Sequence, residues 1–132
     1  MHNELHVRTA RKRELIDLTD EVAAFVSRCG LDTGACLVFV RHTTAALVIN
    51  DVSESFVHDF LLALEAFPNR AWTHLHAGPE HAKDHLLGAA LGESKTLPVV
   101  RGRLALGTWQ RLYLVELDGP RNRDVLLMTI PA

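Results

Sequence analysis

The chain has 132 residues, enough for one domain with a packed core, and with 48% apolar against 23% charged residues it is not composed like a disordered segment. A formal charge of -2 withholds the basic excess that general nucleic-acid binding relies on, so phosphate chemistry would have to come from a local cluster of cations. No basic-then-apolar leader opens the sequence and no apolar run approaches the length of a membrane span. The expectation is a soluble cytoplasmic protein with no nucleic-acid or membrane partner.

Residues 4–9 alternate polar and apolar and predict a short strand with Leu5 and Val7 on one face. Arg11-Lys12-Arg13 is expected to form a solvated hairpin turn, with residues 15–18 as the return strand. Thr19 followed by Asp20 and Glu21 reads as an N-cap with acids in the first turn, opening a helix through Val22, Phe25 and Val26 that stops at Gly30. Residues 35–40 are an unbroken apolar run, fit for a strand buried on both faces. Cys29 and Cys36 lack paired metal-knuckle spacing and are expected to be buried free thiols.

His42-Thr43-Thr44-Ala45 then breaks the apolar character before Leu47-Val48-Ile49 restores it. Such a polar, small-residue break suits a backbone approaching a ligand, and it equally suits a plain turn with His42 packed at the core edge. Ser53 opens a second helix, with Phe56, Val57, Phe60, Leu61 and Leu64 as its apolar stripe and Pro68 as its stop.

The stretch from Trp72 to Gly92 holds four of the eight histidines: His74, His76, His81 and His85. Before Gly78 the H-x-H spacing puts two imidazoles on one side of an extended segment. After Gly78, Pro79 fits the first turn of a helix that Gly92 ends, and on it His81 and His85 share a face. Imidazoles meeting at such a bend can build a metal site or an acid/base pocket, or they can be ordinary surface residues.

Residues 96–100 and 103–106 flank Arg101-Gly102 and predict a hairpin; strands at 112–117 and 125–130 follow, separated by a turn over residues 118–123. Trp109 is expected in the core. Arg101, Arg103, Arg121 and Arg123 lie at these two turns, as phosphate-holding forks or as solvated loop charge. The pattern predicts a single α+β domain over residues 1–132, largely antiparallel, with two to three helices and with the sheets packed into a sandwich or against the helices.

Taken together, His42-Thr-Thr-Ala, Ile49-Asn-Asp, His74, Gly78-Pro79, His85, Gly92-Glu-Ser, Leu97-Pro98-Val99 and the run Gly102-Arg-Leu-Ala-Leu-Gly-Thr-Trp-Gln110 resemble the YjbQ-like family. That group was long an uncharacterised family, numbered 0047, and was later named secondary thiamine-phosphate synthase. The resemblance implies an antiparallel β-sandwich assembled as a homotrimer, with a histidine-lined pocket near subunit boundaries. It also implies a transferase activity, as a side activity, that joins a pyrimidine-methyl diphosphate to a thiazole phosphate and releases pyrophosphate.

Carried over by position, the family histidines fall on His42, His74 and His85, as catalytic groups or as ligands of a divalent ion, zinc or magnesium. Its acidic position falls on Glu116, and Arg103, Arg121 and Arg123 would hold phosphate. The chain departs from the family at Val52-Ser-Glu-Ser55, which lacks the usual Asp-Pro, so Asp59 is not carried over. Two other readings use the same residues: a non-catalytic trimer binding a metal or small ligand, and a metal-dependent hydrolase.

Overall fold

The computed structural model describes residues 1–68, 70–74 and 78–132. Eight strands form two antiparallel sheets. The larger sheet has the order β1 (His2–Arg8), β8 (Asn122–Pro131), β3 (Gly34–Val40), β5 (Ser94–Val100), β6 (Arg103–Leu104). The smaller has the order β2 (Glu14–Asp17), β7 (Gln110–Glu116), β4 (Ala45–Asp51). Three helices, α1 (Thr19–Cys29), α2 (Glu54–Glu65) and α3 (Pro79–Leu91), complete the elements of the described residues.

Alternation along the strands explains the layering. Leu112 and Leu114 of β7 meet Cys36, Val38 and Val40 of β3 and Val125 and Leu127 of β8 between the sheets, and α1 closes this core with Val22, Phe25 and Val26. The intervening Val115 of β7, with Ala46 of β4, faces the other way and buries Leu64 of α2 and Leu87 of α3. The order is therefore large sheet, small sheet, then α2 and α3, with α1 closing the core between the sheets. Ser53 caps α2 by accepting the Phe56 N–H, and Gly30 ends α1 at φ 66°.

Several sequence expectations are corrected. β1 and β2 are not a hairpin: β1 pairs with β8 and β2 with β7, because the chain crosses between sheets at residues 9–13. Thr19 is the first helical residue rather than the cap, and its hydroxyl accepts the Leu112 N–H instead. Residues 35–40 are covered on one face only. Phe39, Val100, Met128 and Ile130 are exposed on the outer side of the large sheet, beside half-buried Leu37 and Leu126. Trp109 is 69% exposed, because Gly107-Thr108 turn it outward ahead of β7. Cys36 is buried as foreseen, Cys29 only half so, and neither is paired; burial pushes the Cys36 thiol up to about 11.

Two glycines place the site. A Cβ on Gly88 would lie 2.7 Å from the Thr43 carbonyl oxygen, so only glycine lets α3 press against the turn between β3 and β4. A Cβ on Gly119 would lie 2.2 Å from the Arg11 carbonyl oxygen, so the turn before β8 can nest under the β1–β2 connection.

Candidate metal and anion site

Helix α3 carries His81, Asp84 and His85 one turn apart, and His74 stands against them from the segment before the helix. The ring centroid of His85 lies 4.7 Å from that of His74 and 4.4 Å from that of His81, and the His81 and His85 Nε2 atoms are 2.8 Å apart. One ligand nitrogen from each imidazole falls within 4.8 Å of the others. Three imidazoles whose nitrogens converge in this way suit a divalent ion such as zinc.

A charge network orients this group. His81 Nδ1 lies 3.2 Å from Asp118 Oδ2. Burial raises the Asp118 carboxyl, but hydrogen bonds from Lys12 and Arg121 outweigh it and hold the group well below the usual carboxylate range. Asp118 is thus an anion that can only accept, which puts the His81 proton on Nδ1 and leaves the Nε2 lone pair for the cluster. Lys12 donates to Asp118 at 2.7 Å and also pairs with Asp84, which is wholly buried and accepts from Arg13 at 2.8 Å. Burial pulls the Lys12 ammonium down, and its two carboxylate partners more than offset that, so it stays charged. His81, Asp84 and Asp118 could also be grouped as ligands. Their carboxylates are already matched by Lys12, Arg13 and Arg121, so the three-imidazole set is the better home for a cation.

On one side of the cluster opens a cleft of about 750 Å³, walled by His42, His81 and His85 together with Arg8, Arg41, Arg121 and Arg123. Among the described residues no carboxylate lines it. Arg41, Arg121 and Arg123 each pair with a carboxylate outside that lining, Glu4, Asp118 and Glu116, which offsets part of their charge, and the N–H donors the wall presents still favour an anionic ligand.

Known proteins resemble this chain along most of its length. The sequence profile described as UPF0047 protein YjbQ-like matches residues 3–132. The chain belongs to the YjbQ-like family. A UPF0047 protein of Archaeoglobus fulgidus is 41% identical over 129 residues, covering 96% of this chain and 99% of its own. One from Mycobacterium tuberculosis is 43% identical over 123 residues, covering 89% and 92%. The crystal structure of a YbjQ-like protein from Sulfolobus solfataricus superposes with a TM-score of 0.94 at 38% identity, covering 100% of this chain and 97% of its own.

Of the histidines marked by likeness to the YjbQ-like family, His74 and His85 come together, and His81 joins them where His42 was expected. His42 lines the cleft, but its Nε2 accepts the Asp124 N–H at 2.8 Å and so is committed as an acceptor. Burial, then the Arg123 charge, push His42 below the ordinary imidazole value, so it is a neutral group. His76 lies outside the described residues.

Glu116 is wholly buried and takes four hydrogen bonds: from Thr9 Oγ1, from the Asp118 N–H, and from Arg123 through Nε and Nη2. Burial raises its carboxyl and these donors outweigh that, leaving it below its ordinary value. It positions Arg123 and the residue 118 turn, and has no capacity left to act as acid or base. Arg123, 2% exposed, also donates to the Thr44 carbonyl and hydroxyl. Only its Nη1 has no partner among the described residues, and Arg123 lines the cleft. Arg121 is exposed and holds the Asp118 carboxylate and carbonyl.

Arg103 is elsewhere. It pairs with Val100 beyond the Gly34 end of β3, whereas Arg123 lies beyond the Val40 end. Six residue steps along β3 separate them by about 20 Å, and Arg103 lines a different cleft with Arg101 and Thr108. Sequence reasoning missed Lys12, Arg13, Asp84 and Asp118. Only Asp84 had a local signal, its position one turn after His81.

Proposed function

We propose that this chain is a transferase of the thiamine-phosphate-synthase type, acting on phosphorylated small molecules as a cytoplasmic homotrimer. The single observation that supports the substrate class is the cleft of four arginines and three histidines with no carboxylate among the described residues of its lining, set against a three-imidazole cluster. The particular transfer comes from likeness to the YjbQ-like family and not from the geometry.

His74, His81 and His85 would hold a divalent ion, which when bound supplies Lewis-acid charge to phosphate oxygens. The Arg123 Nη1 and the exposed Arg8 and Arg121 orient the diphosphate. In the transfer the carbon–oxygen bond to the diphosphate breaks, its electron pair leaves with pyrophosphate, and the thiazole nitrogen closes the new carbon–nitrogen bond. Fixed cations favour that step because negative charge grows on the leaving group. His42, neutral beside the same cleft, can donate a hydrogen bond from Nδ1.

The exposed apolar outer face of the large sheet supports assembly, since Phe39, Val100, Met128 and Ile130 form a patch of the kind that partner subunits cover. Free Cys29 and Cys36 fit a reducing compartment. No described helix is long and apolar enough to cross a membrane.

The test supplies metal-loaded protein with a pyrimidine-methyl diphosphate and a thiazole phosphate. Thiamine phosphate and pyrophosphate in equal amounts, lost on chelation, are the expected result. A three-imidazole site also suits a metal-dependent phosphohydrolase, which would release phosphate with no thiazole present. Binding of both compounds with no turnover, the metal retained, would leave only a binding protein. A monomer in light scattering at micromolar concentration overturns the trimer.

A further inference from the structure

We infer that the molecule carries a second, independent ligand site at the end opposite the histidines. The cleft between α1 and residues 101–111 takes a small aliphatic carboxylate, its head on Arg101 and Arg103 and its tail over Leu31, Leu104 and Leu106. This cleft has a volume of about 730 Å³. It lies at the Gly34 end of β3, about 20 Å from Arg123, so nothing in it depends on the imidazole cluster.

One wall is a face of α1 from Thr19 to Gly30, about 16 Å long. Leu31, Leu104 and Leu106 form the floor. They pack against the main core on one side and are only half-buried, so part of each stays wet. A purely polar ligand would leave that surface uncovered, whereas a hydrocarbon tail removes it from water.

Two guanidinium groups stand over this floor. Arg101 and Arg103 are exposed and have no carboxylate partner among the described residues, whereas Arg111 in the same lining is spent on Asp17 and Asp20. Asp32 is the one carboxylate among the lining residues, which leaves a single positive charge unmatched. A monoanionic head supplies the counter-charge, and the two coplanar oxygens of a carboxylate fit a guanidinium fork. Gln110 adds a donor, because its Oε1 accepts the Gly107 N–H at 2.8 Å and its amide nitrogen has no partner among the described residues.

The mouth is held in shape. Arg101 and Gly102 sit at φ 53° and 75°, as a two-residue hairpin loop requires. Asparagine or glycine meets that requirement with less strain, so the Arg101 guanidinium stands there against the preference of its backbone. The Gly102 N–H donates to the Asp32 carbonyl at 2.9 Å and ties the hairpin to the loop after α1.

The test is calorimetry on the intact protein with octanoate, butanoate and octan-1-ol. Octanoate should bind saturably at one site per chain, with affinity falling about two- to fourfold for each methylene removed toward butanoate. Octan-1-ol, which has the tail without the charge, should bind about tenfold or more weakly. The double change Arg101→Asn, Arg103→Gln should lower octanoate affinity about tenfold while the melting temperature holds or rises, since asparagine suits the backbone at residue 101. His85→Ala should leave octanoate binding unchanged. Equal affinity for acid and alcohol, binding that survives the arginine changes, or binding lost with His85→Ala overturns the site. If the wild type binds no octanoate and the double variant falls to a smaller assembly in light scattering, the cleft is a contact between copies and the ligand site is overturned.

Discussion

Glu116→Gln separates a structural carboxylate from a catalytic one. Glu116 and Arg123 are both almost fully buried, and the carboxylate is the counter-charge for the guanidinium, bound through two nitrogens. Glutamine keeps the shape and one acceptor, but it removes the charge and turns an amide donor toward a donor. Breaking a buried pair from one side leaves the other charge uncompensated and costs about 3–5 kcal/mol. For 132 residues the unfolding entropy near the midpoint is about 280 cal/mol/K, so the melting temperature should fall by about 10–18 °C.

The pH dependence of this variant has a definite sign. Because the folded carboxyl is depressed, its contribution is complete above the unfolded value of about 4.5 and fades as pH falls through the lower folded value. The gap between wild type and variant should therefore be constant from pH 7 to about 5 and narrow in acid. Calorimetric melts across that range read both quantities. A fall under about 4 °C at pH 7, coupled to lost turnover, would refute the structural role and return Glu116 to acid or base duty.

Arg123→Lys should cost about 2–3 kcal/mol, because an ammonium cannot serve Glu116 and Thr44 together, whereas exposed Arg121→Lys should cost about 1 kcal/mol or less in the same melts. Alanine at His74, His81 or His85 should lower zinc affinity about a hundredfold by competitive titration, and His42→Ala should change it by less than about threefold, reversing the family-based expectation for His42. Zinc binding to the wild type should weaken as pH falls below about 6, since imidazole must be neutral to ligate; a flat profile down to about pH 5 contradicts histidine ligation. Asp118→Asn should leave the three imidazoles in place but weaken zinc binding about tenfold, since an amide no longer holds the His81 proton on Nδ1 as an anion does.

The sequence made α3 legible because its cues are local: a glycine and proline before it, histidines four apart within it, a glycine after it. Strand positions were equally readable, since alternation marks a strand. Alternation does not name a partner, and that is why residues 4–9 and 15–18 looked like a hairpin although they lie in different sheets. The basic run at residues 11–13 looked solvated for a related reason. Its partner Asp84 lies more than seventy positions away, and nothing local announces that a buried carboxylate waits there. Distance in the fold misled in the other direction for Arg103 and Arg123, whose turns follow closely in the chain while their strands carry them to opposite ends of the sheet.

Gly88 gives the fold a dial that no histidine substitution offers. The helix bearing His81 and His85 rests on the Thr43 carbonyl at a spacing that excludes a methyl group, and His42 sits one residue before that carbonyl. Close-packed interiors pass such a misfit on rather than absorb it. One added carbon at residue 88 would drive the helix off its seat by roughly half an ångström or more and widen the gap between His42 and His85. The reach between the two walls of the cleft, and with it the length of ligand accommodated, is thus governed by a residue that has no side chain.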